Sequence, residues 1–334
     1  MKKIPLSVLS IAVANGRIYV LVKENERLIL KVLDEKLKVV DEVISVRGDK
    51  GFILYVKKDK ALISVDENLL LVRGGETEAV LRASKPTNTF WHSTEAKGKV
   101  FIHEYGEPPT GIFTSKNLED WEKVTTNLDI DRSSKHFHYI AYDPYRRWLL
   151  VTLGDGCLTR VAISEHLGSS WRPLYKGPWQ FVPIVPLEDR IVFGMDSGIV
   201  RGGIGIYNVS ENRWEFVFLR WIEKRVRYAQ MTDLRFFKGL WIAALGTPQA
   251  VLVSSDLKFW HPIVIEGYDK NYNRSVSLDA NGMHIVICNG KRVLKLSERE
   301  LKQILNSTEL MLIPYNLTAS ERLKALIFRI KRLM

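Results

Sequence analysis

Cysteine is almost missing from this sequence. Cys157 and Cys288 are the only two, far apart and each inside an apolar stretch, which fits two buried reduced thiols better than a disulfide framework or a thiolate metal site. Glutamine is equally sparse. Gln180, Gln230, Gln249 and Gln303 are the whole set, and with 26% charged residues the balance suits a thermophilic source. No run approaches the roughly eighteen apolar residues that a membrane-spanning helix needs. Zinc-finger spacing and the aromatic motif of RNA-binding sheets are both absent. The formal charge is +11, with lysine and arginine spread along the chain. That charge attracts anions in general and does not mark a nucleic-acid site.

The N-terminus reads two ways. Met1, Lys2 and Lys3 followed by the apolar segment 4–14 imitate the charged and apolar regions of a signal peptide. The same segment, then Asn15-Gly16 and Arg17 to Val22, reads as strand, turn and strand, and Asn-Gly is a strong hairpin signal. The strand reading matches the rhythm of later segments and is preferred. With it goes a cytoplasmic location, export being the alternative.

What the sequence has in quantity is short runs of Val, Ile, Leu and aromatics, broken by Gly, Asn, Asp and Lys turns. That is the pattern of many antiparallel strands. Trp121, Trp171, Trp214 and Trp260 each follow a turn, open a short apolar run, and stand 43 to 50 residues apart, about the length of one four-stranded propeller blade. Three are preceded by a strand ending in serine, at Ser115, Ser164 and Ser254. The expected fold is all-β: a propeller of about seven four-stranded blades, with six or eight left open. Four strands fall in 8–43 and four in 51–84. Further sets start near Thr89, His136, Gln180, Tyr228 and Arg274, the last extending to 309–313. Ring closure is expected to pair the N-terminal region with the last blade, removing an exposed edge. The propeller domain spans 1–315. A short helix is expected at 298–306, and a basic amphipathic one follows a capping box at Thr318–Glu321. Leu323, Leu326, Ile327, Ile330 and Leu333 share one face of that helix. This stripe needs cover from its own propeller, a partner chain or an anionic membrane.

The serine-to-tryptophan segments resemble the Asp-box, Ser-x-Asp-x-Gly-x-x-Trp. Ser164 to Trp171 fits it with His166 in place of the aspartate, and the segments ending at Trp121 and Trp260 are one residue shorter, with Asn117 or Asp256 near the aspartate position. Together with 103–106, 136–138, 142–144 and 152–155, they resemble the glycosyl hydrolase-like branch of BNR-repeat, sialidase-like proteins. The Asp-box is a structural turn, so the resemblance implies a fold more than a chemistry. A sialidase's Phe/Tyr-Arg-Ile-Pro stretch is missing here, which argues against true sialidase activity.

In a propeller, innermost-strand starts and second-strand ends open onto one face around the central channel. The first set gives Trp91, His136, His138, Trp179, Gln180, Tyr228, Arg227 and Arg274; the second gives His103, Glu104, Tyr105, Asp155 and Asp196. Polar groups converging in a concave place make this rim the candidate site. Glu104 and Asp155 have the chemistry of an acid/base pair, or equally of carboxylates tied to backbone. Tyr105 and Tyr228 suit proton transfer, or ring packing. His136 and His138 lie on one side of a strand by its period of two. No third ligand is evident beside them, so neither a metal nor another cofactor is expected. Arg227 and Arg274, with Arg132 and Arg47 as possible neighbours, suit carboxylate or sulfate recognition. Trp91 and Trp179 suit stacking on sugars.

The expected partner is an anionic, uronic-acid-containing glycan, either hydrolysed or cleaved by β-elimination. The alternatives are a non-catalytic glycan- or protein-binding propeller, or a scaffold working through its charged exterior. Oligomeric state is not readable.

Overall fold

The computed structural model describes residues 3–5, 8–155, 159–223, 228–246, 249–267, 275–278, 282–288 and 292–330. Cys157, Arg227, Arg274 and Leu333 therefore lie outside the described residues. Cys288 is buried.

The middle strands of each repeat carry apolar residues on both faces. Trp148–Leu153 is buried at five of its six positions and Leu240–Leu245 at all six. A strand of that kind must be covered on both sides. In Lys99–Tyr105 the alternation shows how: Val100 and Ile102 meet Leu62 and Leu69 of the preceding sheet, while Phe101 meets Phe137 and Leu149 of the next. The result is seven antiparallel sheets. Blades I to VI occupy residues 8–47, 51–82, 89–126, 137–177, 181–221 and 231–267. Blade VII is 275–297, with Lys3–Pro5 as its outermost strand, paired Lys3 to Leu294 and Pro5 to Arg292. First strands of neighbouring blades touch all the way round, Ser275–Leu278 returning to Val8–Ala14. Closure by the N-terminal strand is thus as expected.

One element is placed differently. The strand expected at 309–313 in the last blade is Leu312–Pro314, and it adds a fifth strand to blade V, pairing Leu219 with Pro314 and Trp221 with Leu312. A bridge from Leu312 to Trp260 ties it to blade VI as well. The fourth place in blade VII is already filled by Lys3–Pro5, so the late strand takes the free outer edge of another blade. Arg47 also ends on an outer strand, exposed and paired with Glu26, away from the channel.

The four tryptophans stand at or just before the fourth strands of consecutive blades III to VI. The turns before Trp121, Trp171 and Trp260 share a serine-centred hydrogen-bond scheme. Ser115 Oγ accepts from the N–H groups of Asn117 and Leu118, and Asn117 Oδ1 from those of Glu119 and Asp120. Ser254 and Asp256 repeat this with residues 256–259. Ser164 accepts from His166 and Gly168, and Gly168 takes φ +98°, where a side chain would be strained. Each indole of Trp121 and Trp260 donates to the carbonyl three residues back.

Residues 298–330 run over the outside of the ring. Helix Glu298–Ser307 buries Leu301 between blades VI and VII. Helix Ala319–Ile330 starts with the expected capping box, Thr318 N donating to Glu321 Oε2 at 2.8 Å and Glu321 N to Thr318 Oγ1 at 3.2 Å. It packs on blade V through Ala325 and Phe328. The predicted stripe is on the other side: Leu323, Leu326, Ile327 and Ile330 are exposed.

Trp260 is wholly buried, whereas Trp121 is partly exposed. Trp260→Ala is expected to cost about 3–5 kcal/mol in urea unfolding, and Trp121→Ala clearly less. Equal losses would mean that the deeper burial of the Trp260 ring adds nothing.

Candidate active site at the channel mouth

His136 immediately precedes the inner strand Phe137–Asp143 of blade IV, and His138 is the extra residue of a bulge, since Phe137 pairs with Leu153 but Tyr139 with Thr152. Inner strands of blades I to VI all carry such a shift. Bulges re-aim side chains, and here the two imidazoles end 4.8 Å apart with Tyr105 against both, at 4.3 and 5.9 Å.

Both rings are held by glycine carbonyls. His136 Nδ1–H donates to Gly106 O at 2.6 Å, and His138 Nε2–H donates to Gly154 O. Gly106 has φ +141°, and a Cβ there would stand 2.1 Å from Asn88 Oδ1, so only glycine fits. Carbonyl acceptors fix the tautomers, leaving His136 Nε2 and His138 Nδ1 as acceptors, both buried and without hydrogen-bond partners. Asp155 stands beside them, 3.6 Å from His136 Nε2 and 3.5 Å from His138 Nε2, with Lys135 Nζ at 3.1 Å. One donor atom from each of His136, His138 and Asp155 lies within 4.8 Å of the others. Asp155 is thus a third donor group beside the histidine pair, and the three together could hold a metal ion.

Electrostatics separates the two carboxyl groups of this mouth. Burial raises Asp155, but the hydrogen bond and charge of His138, with Lys135, outweigh it and hold the group well below its ordinary value. Asp196, just beyond the second strand of blade V, is raised by burial and further by the negative charge of Asp155, although His138 and a side-chain hydrogen bond with Gln230 oppose this. Burial, with both carboxylates, pushes the Tyr105 phenol up to about 12. Burial lowers His136 to about 4. At neutral pH the mouth thus presents an ionised Asp155, a neutral His136 and a phenol that keeps its proton. Trp91, half-buried, meets Tyr105 edge-on at 4.7 Å. Gln180 O accepts the Asp196 N–H at 2.9 Å.

Burial corrects three expectations. Glu104 is completely buried and accepts from Ser84 N and Oγ, Asn88 Nδ2 and Gly111 N. It immediately precedes Tyr105 in a period-two strand and so points away from the mouth, fastening the 84–88 and 106–111 segments. His103 is also fully buried, against His92 and Phe137. Trp179 packs among Phe181, Phe216 and Phe218 and offers no face to a ligand. Tyr228 is half-buried before blade VI, its carbonyl accepting the Trp221 indole N–H at 2.9 Å.

Sequence reasoning missed the channel lining below the mouth. Arg235 reaches Tyr139 Oη at 3.3 Å and Asp233 Oδ1 at 3.4 Å, and Tyr139 touches His92 at 4.3 Å. The alternation Asp233-x-Arg235 on an inner strand was the available signal.

No family model and no curated protein sequence matches the chain. Solved structures do. One described as oligogalacturonate lyase in complex with manganese has a TM-score of 0.57 at 12% identity, covering 90% of this chain and 99% of that one. An oligogalacturonate lyase from Vibrio parahaemolyticus gives 0.59 at 10% identity, covering 88% and 91%. A chain of the Mitotic Checkpoint Complex gives 0.60 at 11%, covering 89% and 90%. Likeness at this level establishes the propeller fold alone.

His92 and His103 are both held below the ordinary histidine value by burial, His103 to about 3. The unfolded chain takes up these protons near pH 6.5 and the native chain does not. Stability is therefore full above that pH and lost as pH falls, by about 1.4 kcal/mol per pH unit per histidine. Urea unfolding between pH 7 and 5 should show the slope, and His103→Phe should remove its share. An unchanged slope in the variant would refute the assignment.

Proposed function

We propose that the channel mouth binds an anionic, uronic-acid-containing glycan and cleaves it by β-elimination, with His136, His138 and Asp155 holding a divalent cation. The carrying observation is the grouping of two imidazoles and a carboxylate: each ring has one nitrogen on a backbone carbonyl and the other buried without a hydrogen-bond partner, and ionised Asp155 stands 3.6 Å from the free His136 Nε2 and 3.5 Å from His138 Nε2. Metal-binding histidines are oriented in this way. Lys135 is the cation now on Asp155, more than half exposed at the rim. Two similar folds are named oligogalacturonate lyase, one with manganese, which supports the substrate class.

A bound cation would supply positive charge to the uronate carboxylate and so acidify the C5 proton. The chain's own groups would do the rest. Asp196, the more basic carboxylate, is assigned to take the C5 proton; the C4–O4 bond breaks as the C4–C5 double bond forms. Tyr105, which keeps its proton to about pH 12, donates it to the departing oxygen. Trp91 offers a ring for stacking. Hydrolysis by Glu104 and Asp155 is disfavoured, because Glu104 is consumed by four donors inside the protein. Kinship with Asp-box propellers is likewise proposed, supported by the shared turns at Ser115, Ser164 and Ser254.

Oligogalacturonate with manganese should yield unsaturated product. Tyr105→Phe should lower kcat by about 10²–10⁴ while keeping metal binding. Asp155→Asn should weaken manganese binding in calorimetry by at least ~100-fold, and Lys135→Ala should strengthen it. Absence of manganese binding to the intact protein would defeat the metal assignment. Glycan binding without turnover would select the non-catalytic alternative.

A further inference from the structure

Helix Ala319–Ile330 uses only one of its faces on the propeller. Glu321, Ala325 and Phe328 fall on one side at about 3.6 residues per turn. Glu321 is buried and accepts from Tyr315 Oη at 2.9 Å, while Ala325 and Phe328 pack into the core cluster of blades IV and V. This anchorage holds the opposite side outward. There Leu323, Leu326, Ile327 and Ile330 are 57%, 52%, 44% and 48% exposed, a continuous aliphatic seam. Exposed Arg322 and Lys324 lie on its two flanks.

A second observation concerns charge at the foot of the helix. Two clefts meet at Pro314, Tyr315 and Asn316. Arg201 and Arg220 line one, Lys258 and Arg322 the other, and no carboxylate lines either.

We propose that this seam docks the protein on an anionic lipid surface, the aliphatic side chains entering the boundary of the acyl chains and the four cations meeting headgroups. The seam is one helix wide with cations on both sides, the arrangement of an interfacial helix whose basic residues extend toward the headgroups. A second copy of the chain is a poorer occupant, since pairing would bring together two identical cationic flanks on molecules of net charge +11.

The intact chain should co-sediment with phosphatidylglycerol vesicles and not with phosphatidylcholine vesicles. The double substitution Leu326→Asp, Ile327→Asp should weaken that binding at least about tenfold, and Arg322→Glu with Lys324→Glu should do the same. Because all four side chains are exposed, both variants should keep the parent melting temperature. Failure of the intact chain to bind phosphatidylglycerol at low salt overturns the proposal. So does equal binding by the aspartate variant, which would reduce the effect to general charge. Sedimentation equilibrium of the intact chain showing a dimer that the aspartate variant dissociates, with no vesicle binding, would assign the seam to a second copy instead.

Discussion

Burial on both faces of every blade is the constraint on which the rest of this molecule depends. A sheet with one apolar face can rest on a helix layer; a sheet with two needs a neighbour on each side, and the neighbours have the same need. Phe101 facing blade IV while Val100 and Ile102 face blade II is that demand at the scale of three residues. Only closure of the series satisfies the first and last members together. Here closure is made by hydrogen bonding Lys3–Pro5 to the edge of blade VII, as well as by packing of Val8 and Ile11 against Val286 and Cys288. Closure leaves a channel, and the channel ends are where the strands stop needing apolar side chains.

The chemistry of the mouth comes from how the inner strands begin. A bulge there disturbs strict alternation, so that His138 and Tyr139 leave the strand in directions a flat strand would not give. Glycines then do what side chains cannot. Gly106 and Gly154 bring carbonyls close enough to each imidazole to fix its proton, and in doing so leave one nitrogen of each ring unpartnered. An unpartnered buried polar atom costs free energy, about 1–3 kcal/mol. One of the two, His136 Nε2, faces the Asp155 carboxylate at 3.6 Å. The opposite shifts of Asp155 and Asp196 arise in the same few residues: burial raises both, but hydrogen bonds and charge from His138 and Lys135 outweigh it at Asp155, while at Asp196 the opposing effects of His138 and Gln230 do not.

Much of this was legible in the sequence where the signal was periodic. Blade starts near Thr89, His136, Gln180 and Tyr228 were within a few residues of the inner strands because the repeat is fixed by strand length and turn chemistry. The rim phase grouped Tyr105, His136, His138 and Asp155, and these four are neighbours in the structure. It failed on depth. Glu104 and Tyr105 are adjacent at the same strand end, yet one is consumed inside blade III and the other looks into the mouth. Phase along a strand gives the end of the ring and not the face of the sheet. Trp179 was misread for a related reason, since an aromatic before an inner strand serves equally to cap a core. The closeness of Asp155 to His136 and His138 was not legible, because it arises from pairing between two strands, which spacing in one dimension does not display. The edge strand Leu312–Pro314 was assigned to the nearest blade in sequence, whereas hydrogen-bonding capacity was open on blade V.

The tail and the site are connected by one body of side chains. The cluster that receives Ala325 and Phe328 also contains Trp179, Phe181 and Tyr139. Tyr139 is in turn the residue that touches His92 and Arg235 in the channel. Close packing transmits displacement, because interiors have few voids to absorb it. The wall of the channel and the seat of the helix are therefore two surfaces of the same wedge between blades IV and V. On its other side blade V is tied to blade VI by Leu312–Pro314 and its bridge to Trp260. Blade V thus carries both the late strand and helix Ala319–Ile330 on its exterior, while helix Glu298–Ser307 covers the junction of blades VI and VII.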